Sequence, residues 1–284
     1  MIYYDAHNHL QDARFGGRWN ELIGTAKAAG LVRMVVNGAC EEDWEDVRRL
    51  ADAFPEVMPA FGLHPWYLHS RTEKWRDELV RRIDSAPGAS VGEIGIDRWI
   101  LDQPAHIRGR YVPELAAVEP APLEVQEEVF VWQLRLAAER GVAASIHCLH
   151  AWGRLLELLK ANPLPKRGFL LHSYGGPAEM IPALAKLGAY FGFPGYFLQE
   201  RKGRQQEVFR SVPADRLLVE TDAPDQLPPL EFRPHPLAGE NGEELNHPAN
   251  IEAIYRGLAG VRGEPVEELA ESVAENFVRL FGTK

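Results

Sequence analysis

Six side chains of metal-binding type stand where apolar segments end: His7, His9, Glu93, His147, His172 and Asp222. The first two belong to Asp5-Ala6-His7-Asn8-His9. Residues two apart in an extended segment point the same way, so both imidazoles can aim at one ion. Alone, such a pair is often no more than two polar loop histidines. Glu93, between Gly92 and Gly95, ends a segment where a carboxylate is costly to bury without a cation or hydrogen-bond donors. Alone it reads as an ordinary ion pair, although two oxygens also let it bridge two metals. His147 closes Ala144-Ser145-Ile146-His147 and His172 closes Leu170-Leu171-His172. One histidine at such a place is more often a satisfied core residue than a ligand. Asp222 follows the apolar run from Leu217, and Pro224 stops that strand. The recurrence of the pattern outweighs the bland reading of each member.

Mixed imidazole and carboxylate donors suit zinc, with manganese or magnesium entering as oxygen donors increase. Six donors exceed the needs of one catalytic ion with open positions. They suit two divalent ions about 3.5–4 Å apart, which lower the pKa of bound water and clamp attacking and leaving oxygens. The expected chemistry is hydrolysis by a metal-activated water, with Asp222 and Glu93 as the candidate catalytic pair. Asp222 would both ligate and take the proton from that water. His64 ends another strand and divides evenly between substrate contact and structural role. His69, His106 and His235 read as solvated loop residues, Cys40 as a small packed residue, and Cys148 as facing away from its neighbour His147. Arg201, Lys202 and Arg204 read as a solvated helix face before they read as phosphate contacts.

Positioning these groups requires a particular order of elements. Strands are expected at 2–9, 32–36, 57–63, 90–96, 142–147, 168–172, 189–193 and 217–220. Helical patterns fall between them at 21–30, 42–53, 73–83, 124–140, 152–160, 178–187 and 199–210. Two more helices, at 249–258 and 266–280, end the chain. Eightfold alternation implies an α/β fold of the TIM type, a (β/α)8 barrel with an extra C-terminal helix. Its strand-end residues converge on the C-terminal rim. A doubly wound open sheet is the second choice, disfavoured because no glycine-rich nucleotide fingerprint follows the first strand. The rhythm breaks at about 99–123, where four prolines suggest a loop insertion forming a flap over the site. Residues 1–284 are expected to be a single domain.

No apolar run approaches the roughly 20 residues that cross a bilayer, and the N-terminus has no signal-peptide pattern. Two cysteines are too few for a disulfide framework, which suggests reduced thiols and a cytoplasmic location. The formal charge of −10 disfavours a nucleic-acid coat protein. It leaves room for a hydrolase of phosphodiesters, because divalent ions reverse the local potential.

The chain resembles the TatD family of metal-dependent deoxyribonucleases, within the amidohydrolase-like barrels. The resemblance runs end to end. It rests on Asp5-Ala6-His7-Asn8-His9, Gly62-Leu63-His64-Pro65, Gly92-Glu93-Ile94-Gly95-Ile96-Asp97 and Glu220-Thr221-Asp222-Ala223-Pro224, with His147 and Leu171-His172-Ser173 in order between them. It implies two divalent ions (zinc, manganese or magnesium) and hydrolysis of DNA or a small phosphodiester. It also implies that His7 and His9 hold one ion, His147 and His172 the other, with Glu93 bridging. Asp222 would complete the first ion and orient the attacking water. No strand-end lysine suits the carbamylated bridge of other amidohydrolases. Two departures stand out. The family pattern His-x-Arg here reads His147-Cys148-Leu149, removing a planar cationic fork suited to phosphate, and Asn-Glu-Pro reads Asn246-His247-Pro248. The alternatives are a C–N or lactone hydrolase acting on a small molecule, and a non-catalytic metal-binding scaffold.

Overall fold

The computed structural model describes residues 1–283. Its strands are β1 (Tyr3–Asn8), β2 (Leu31–Gly38), β3 (Val57–Phe61), β4 (Ser90–Asp97), β5 (Ala144–Leu149), β6 (Phe169–Leu171), β7 (Ala189–Pro194) and β8 (Leu217–Glu220). Each pairs in parallel with the next, in sequence order. Parallel neighbours need long crossovers, which carry helices α1 (Trp19–Ala28), α2 (Trp44–Ala53), α3 (Trp75–Ser85), α4 (Ala105–Arg108), α5 (Leu123–Arg140), α6 (Trp152–Ala161), α7 (Ile181–Lys186) and α8 (Gly203–Arg210). Helices cover the outer face, so β3, β4, β6, β7 and β8 are buried at every position. That double burial explains why they read as apolar runs without alternation. The architecture is the TIM-type barrel that the alternation implied.

The seam between β1 and β8 is closed by the residues that carry chemistry. Asp222 N–H donates to the His7 carbonyl at 2.9 Å, and His9 N–H to the Ala223 carbonyl at 2.7 Å. Deeper in the seam the Asp5 carboxylate stands in for a strand, accepting from Thr221 N–H at 2.9 Å and from the Thr221 hydroxyl at 2.5 Å. Two helices after β8, α9 (Ile251–Arg262) and α10 (Val266–Phe281), pack over this side. The Tyr255 hydroxyl of α9 accepts from Tyr4 N–H (3.2 Å) and donates to the Tyr4 carbonyl (3.0 Å). Phe277 of α10 packs on Tyr4 with ring centroids 4.7 Å apart. Asn276 donates to the carbonyls of Ala214 and Leu217. The C-terminal helices thus cover the joint between β1 and β8.

The segment 99–123 is folded rather than an open loop. It holds a short 3-10 turn at Ile100–Asp102, then α4, then a second turn at Pro113–Ala116. Ile100, Val112 and Leu115 form a small core separate from the main one. Arg108 within this segment is buried. Its guanidinium clamps the Glu119 carboxylate through two bonds at 2.8 and 2.9 Å and donates to the Leu115 carbonyl. The prolines mark the joints between these turns. Sequence periodicity missed the turns because none is long enough to show a period.

Candidate metal centre

Four strands bring histidines to one carboxylate. Glu93, inside β4, is 4% exposed. Its Oε2 lies 3.5 Å from His7 Nε2 and 3.3 Å from His9 Nε2. Its Oε1 lies 3.2 Å from both His147 Nδ1 and His172 Nε2, and 3.5 Å from His64 Nε2. Asp222 Oδ1 is 3.6 Å from the Nε2 atoms of His7 and His9. All six residues singled out from the sequence therefore meet, and His64 joins them. His172 sits just beyond the end of β6 and His147 lies inside β5 rather than at its tip.

The outward-facing nitrogens show which atoms remain for a ligand. His9 Nδ1 is 2.8 Å from the Asn37 carbonyl, which only accepts, so that nitrogen carries the proton and Nε2 offers a lone pair. His147 Nε2 is 3.0 Å from Asp97 Oδ2, leaving Nδ1 directed at Glu93. His7 Nδ1 is 2.8 Å from Ser145 Oγ. His172 Nδ1 faces Glu220 Oε1 at 3.3 Å without hydrogen-bond geometry. An outer nitrogen tied to a carbonyl or carboxylate, with the inner one free, is how metal-binding histidines are oriented. His64 differs. Its Nδ1 accepts from Trp66 N–H at 3.2 Å, so the neutral ring carries its proton on Nε2, toward Glu93.

Electrostatics give an independent test of fit. Without cations, His9 is pushed up to about 10: burial opposes its charge, but the hydrogen bond and charge of Glu93 outweigh burial. His147 is likewise pushed up to about 10, with Asp97 and Glu93 outweighing burial. Burial drives His64 down to about 3 and holds His7 well below its ordinary value. Burial would raise Glu93, yet the surrounding histidines hold it well below the usual carboxylate range. Burial also pushes the Asp222 carboxyl up to about 7. Charged and neutral imidazoles thus alternate around two carboxylates to balance charge. Divalent cations would balance it with every ring neutral. The ligand atoms of His7, His9 and Asp222 lie within 4.8 Å of one another, as do those of His7, Glu93 and His172, and of His64, Glu93 and His147. The donor set fits divalent ions.

Sequence reasoning gave no roles to several supporting residues. Asp97 accepts from His147 and also from Trp66 Nε1 at 2.6 Å and Ile100 N–H at 2.9 Å. Gln226 donates to Asp222 Oδ2 and to Ser173 Oγ, both at 2.6 Å. Glu220 accepts from Ser173 N–H and hydroxyl. Asp97 and Glu220 lay inside the quoted motifs, and a carboxylate in an otherwise apolar strand was the available signal. Gln226 gave none. Two glycines make room: a Cβ on Gly95 (φ +152°) would lie 2.0 Å from the His147 carbonyl oxygen, and one on Gly192 would lie 2.2 Å from Glu220 Oε2. Asp222 itself has φ 51°, a left-handed conformation uncommon outside glycine.

Other expectations divide. Arg201 and Arg204 are exposed and Lys202 half-buried, with Arg201 and Lys202 resting on the Tyr196 ring. His106 is exposed, whereas His69 and His235 are half-buried rather than solvated. Cys40 and Cys148 are free thiols, Cys148 buried and Cys40 half-buried. Leu149 is half-buried at the end of β5, and the following His150 is exposed with φ 55°.

Comparison with known proteins places this geometry. A family model described as TatD related DNase matches residues 4–282. A 3′–5′ ssDNA/RNA exonuclease TatD from Escherichia fergusonii is 29% identical over 281 residues, covering 98% of each chain. The protein of the same name from Pantoea vagans is 31% identical over 285 residues, again covering 98% of each. Among solved structures, a TatD homologue from Escherichia coli K12 superposes with a TM-score of 0.82 at 24% identity, covering 99% of this chain and 98% of that one.

Proposed function

The chain belongs to the TatD-related DNase family, and on that premise we propose a metal-dependent phosphodiesterase that trims single-stranded DNA or RNA from the 3′ end. The carrying observation is the convergence of His7, His9, His147 and His172 on Glu93, with Asp222 beside them. Strand preference and direction follow the activity named for the relatives. In this reading His7, His9 and Asp222 would hold one divalent ion and His147 and His172 a second, with Glu93 within reach of both groups. Bound divalent ions lower the pKa of water and neutralise charge on phosphoryl oxygens.

The remaining work belongs to the chain. Asp222 accepts the proton of the attacking water at Oδ1, while Gln226 holds Oδ2 and so fixes the carboxylate plane. Asp97 and the Asn37 carbonyl keep His147 and His9 in the tautomers that present lone pairs inward. His64, first read as an even choice between substrate contact and structural role, acts in this reading as a polar neighbour that faces Glu93 with Nε2 at 3.5 Å. The segment 99–123 forms the lid of the site, within one domain. Among the described residues no helix is long and apolar enough to cross a membrane. A cytoplasmic location is part of the proposal.

The test is hydrolysis of 3′-labelled single-stranded DNA and RNA, double-stranded DNA and bis-p-nitrophenyl phosphate by protein loaded with manganese, magnesium or zinc. The expected outcome is release of 3′ mononucleotides from single strands, abolished in a folded Asp222→Asn variant. No action on any of these diesters, with turnover of amides or lactones offered in the same assay, would overturn the assignment.

A further inference from the structure

The metal centre continues outward as a run of aromatic rings. Trp66 packs against His147 with centroids 5.9 Å apart. Tyr111 meets Trp66 edge to face at 5.6 Å, and Trp99 meets Tyr111 at 5.2 Å and Trp66 at 6.3 Å. The run is anchored to the site by hydrogen bonds. Trp66 Nε1 donates to Asp97 Oδ2 at 2.6 Å, the same oxygen that faces His147 Nε2 at 3.0 Å. Trp66 and Trp99 are half-buried, but Tyr111 is 54% exposed. Its chain neighbour Val112 is buried with Ile100 and Leu115 in the small core of the segment 99–123. The backbone beside Tyr111 is thereby pinned while its ring stays open.

The geometry points to a specificity-determining surface: Tyr111, backed by Trp99 and Trp66, stacks a nucleobase adjoining the scissile phosphate of a single strand. This rests on the phosphodiesterase reading and adds how the substrate is recognised. An unpaired base has an apolar π-face that any aromatic side chain can meet, so stacking tolerates every sequence. A paired base has no such free face, which favours single strands. The chemistry also fits what the chain lacks. It carries −10 net charge, with Leu149 rather than a cation two residues after His147. Affinity for a polyanion then draws on contacts besides charge. A ring wall joined to Asp97, which also faces His147, adds them beside the candidate metal centre.

The test compares two single-stranded oligonucleotides: one with natural nucleotides, the other with tetrahydrofuran abasic residues at its two 3′-terminal positions. Each is offered to the metal-loaded wild type, Tyr111→Ala and Tyr111→Phe, and kcat and KM are read separately. The wild type is expected to prefer the base-bearing strand. Tyr111→Ala should lower that preference in kcat/KM by roughly tenfold, mainly through KM, and Tyr111→Phe should keep it. An equal effect of Tyr111→Ala on both strands, or none on either, overturns the stacking surface. Should the wild type cleave neither strand, the nuclease reading falls. Fluorescence anisotropy of both labelled strands with metal-loaded protein then decides the surface on its own. A binding preference for bases that is lost in Tyr111→Ala supports it; no preference refutes it.

Discussion

At the scale of single residues, the centre depends on groups that touch no substrate. Asp97 holds the His147 ring through Nε2 and receives Trp66 and Ile100. Removing such an outer partner commonly weakens metal affinity 10–100-fold, so roughly that loss is expected for Asp97→Ala in a competitive chelator titration. Wild-type affinity in a folded variant would show that Asp97 serves Trp66 and Ile100 rather than His147. A half-buried carboxyl makes a pH prediction. Burial pushes Asp43 up to about 6, against the hydrogen bonds it accepts from Ala39 N–H and the Gln11 amide. The folded chain therefore binds more protons than the unfolded chain between the ordinary aspartate value and about 6. By linkage this contribution is fully present below the ordinary value and is lost as pH rises through about 6. Urea melts of the wild type should show that downward component across pH 4–6, and Asp43→Asn, which cannot ionise, should lack it whatever its absolute stability.

At the scale of elements, the seam between β1 and β8 is where sequence and site meet. An ordinary barrel joint is made of backbone ladder bonds, but here a side chain replaces part of the ladder. Asp5 accepts from Thr221 N–H, the Thr221 hydroxyl, the Asn8 amide and His7 N–H. Asp5→Ala leaves several buried donors unmatched, at about 1–3 kcal/mol for each group left fully unsatisfied. The expected result is a urea midpoint lowered by at least about 2 kcal/mol of stability with an unchanged slope, since the same surface unfolds. A midpoint within error of wild type would mean that water enters and satisfies the seam. The helices α9 and α10 brace the same joint from outside through Tyr255, Asn276 and Phe277. This explains why a helix beyond the eightfold count is kept.

At the scale of the whole molecule, an acidic chain acting on a polyanion predicts a shallow dependence of binding on salt. Single-strand affinity falls with a logarithmic slope of about −0.7 for each phosphate neutralised by a side chain. Arg201 and Lys202 beyond β7 and Arg98 directly after β4 are cationic side chains that the fold sets past strand ends and leaves at least partly exposed. The expected slope for metal-loaded Asp222→Asn, measured by anisotropy between 50 and 300 mM salt, is about −1 to −2. A slope steeper than about −4 would reveal a basic track along the surface instead.

The amino-acid order determined the barrel and the cluster of candidate metal ligands. Eight apolar runs separated by helical patterns have few arrangements that bury them all, and side chains at their C-terminal ends converge by topology. His7, His9, Glu93, His147, His172 and Asp222 were legible for that reason, each a polar residue where an apolar run would otherwise continue. Tertiary structure alone decided the rest. His64 was ambiguous because only the position of Glu93 tells which nitrogen it offers and to what. Gln226 was invisible, since an amide in a proline-rich loop has no pattern until the loop folds back on Asp222. The segment 99–123 looked like an open loop because its turns are too short to show a period. Its core of Ile100, Val112 and Leu115 exists only once those turns pack. Local spacing can report which groups share a strand face, whereas pairings across distant segments depend on packing that no local pattern encodes.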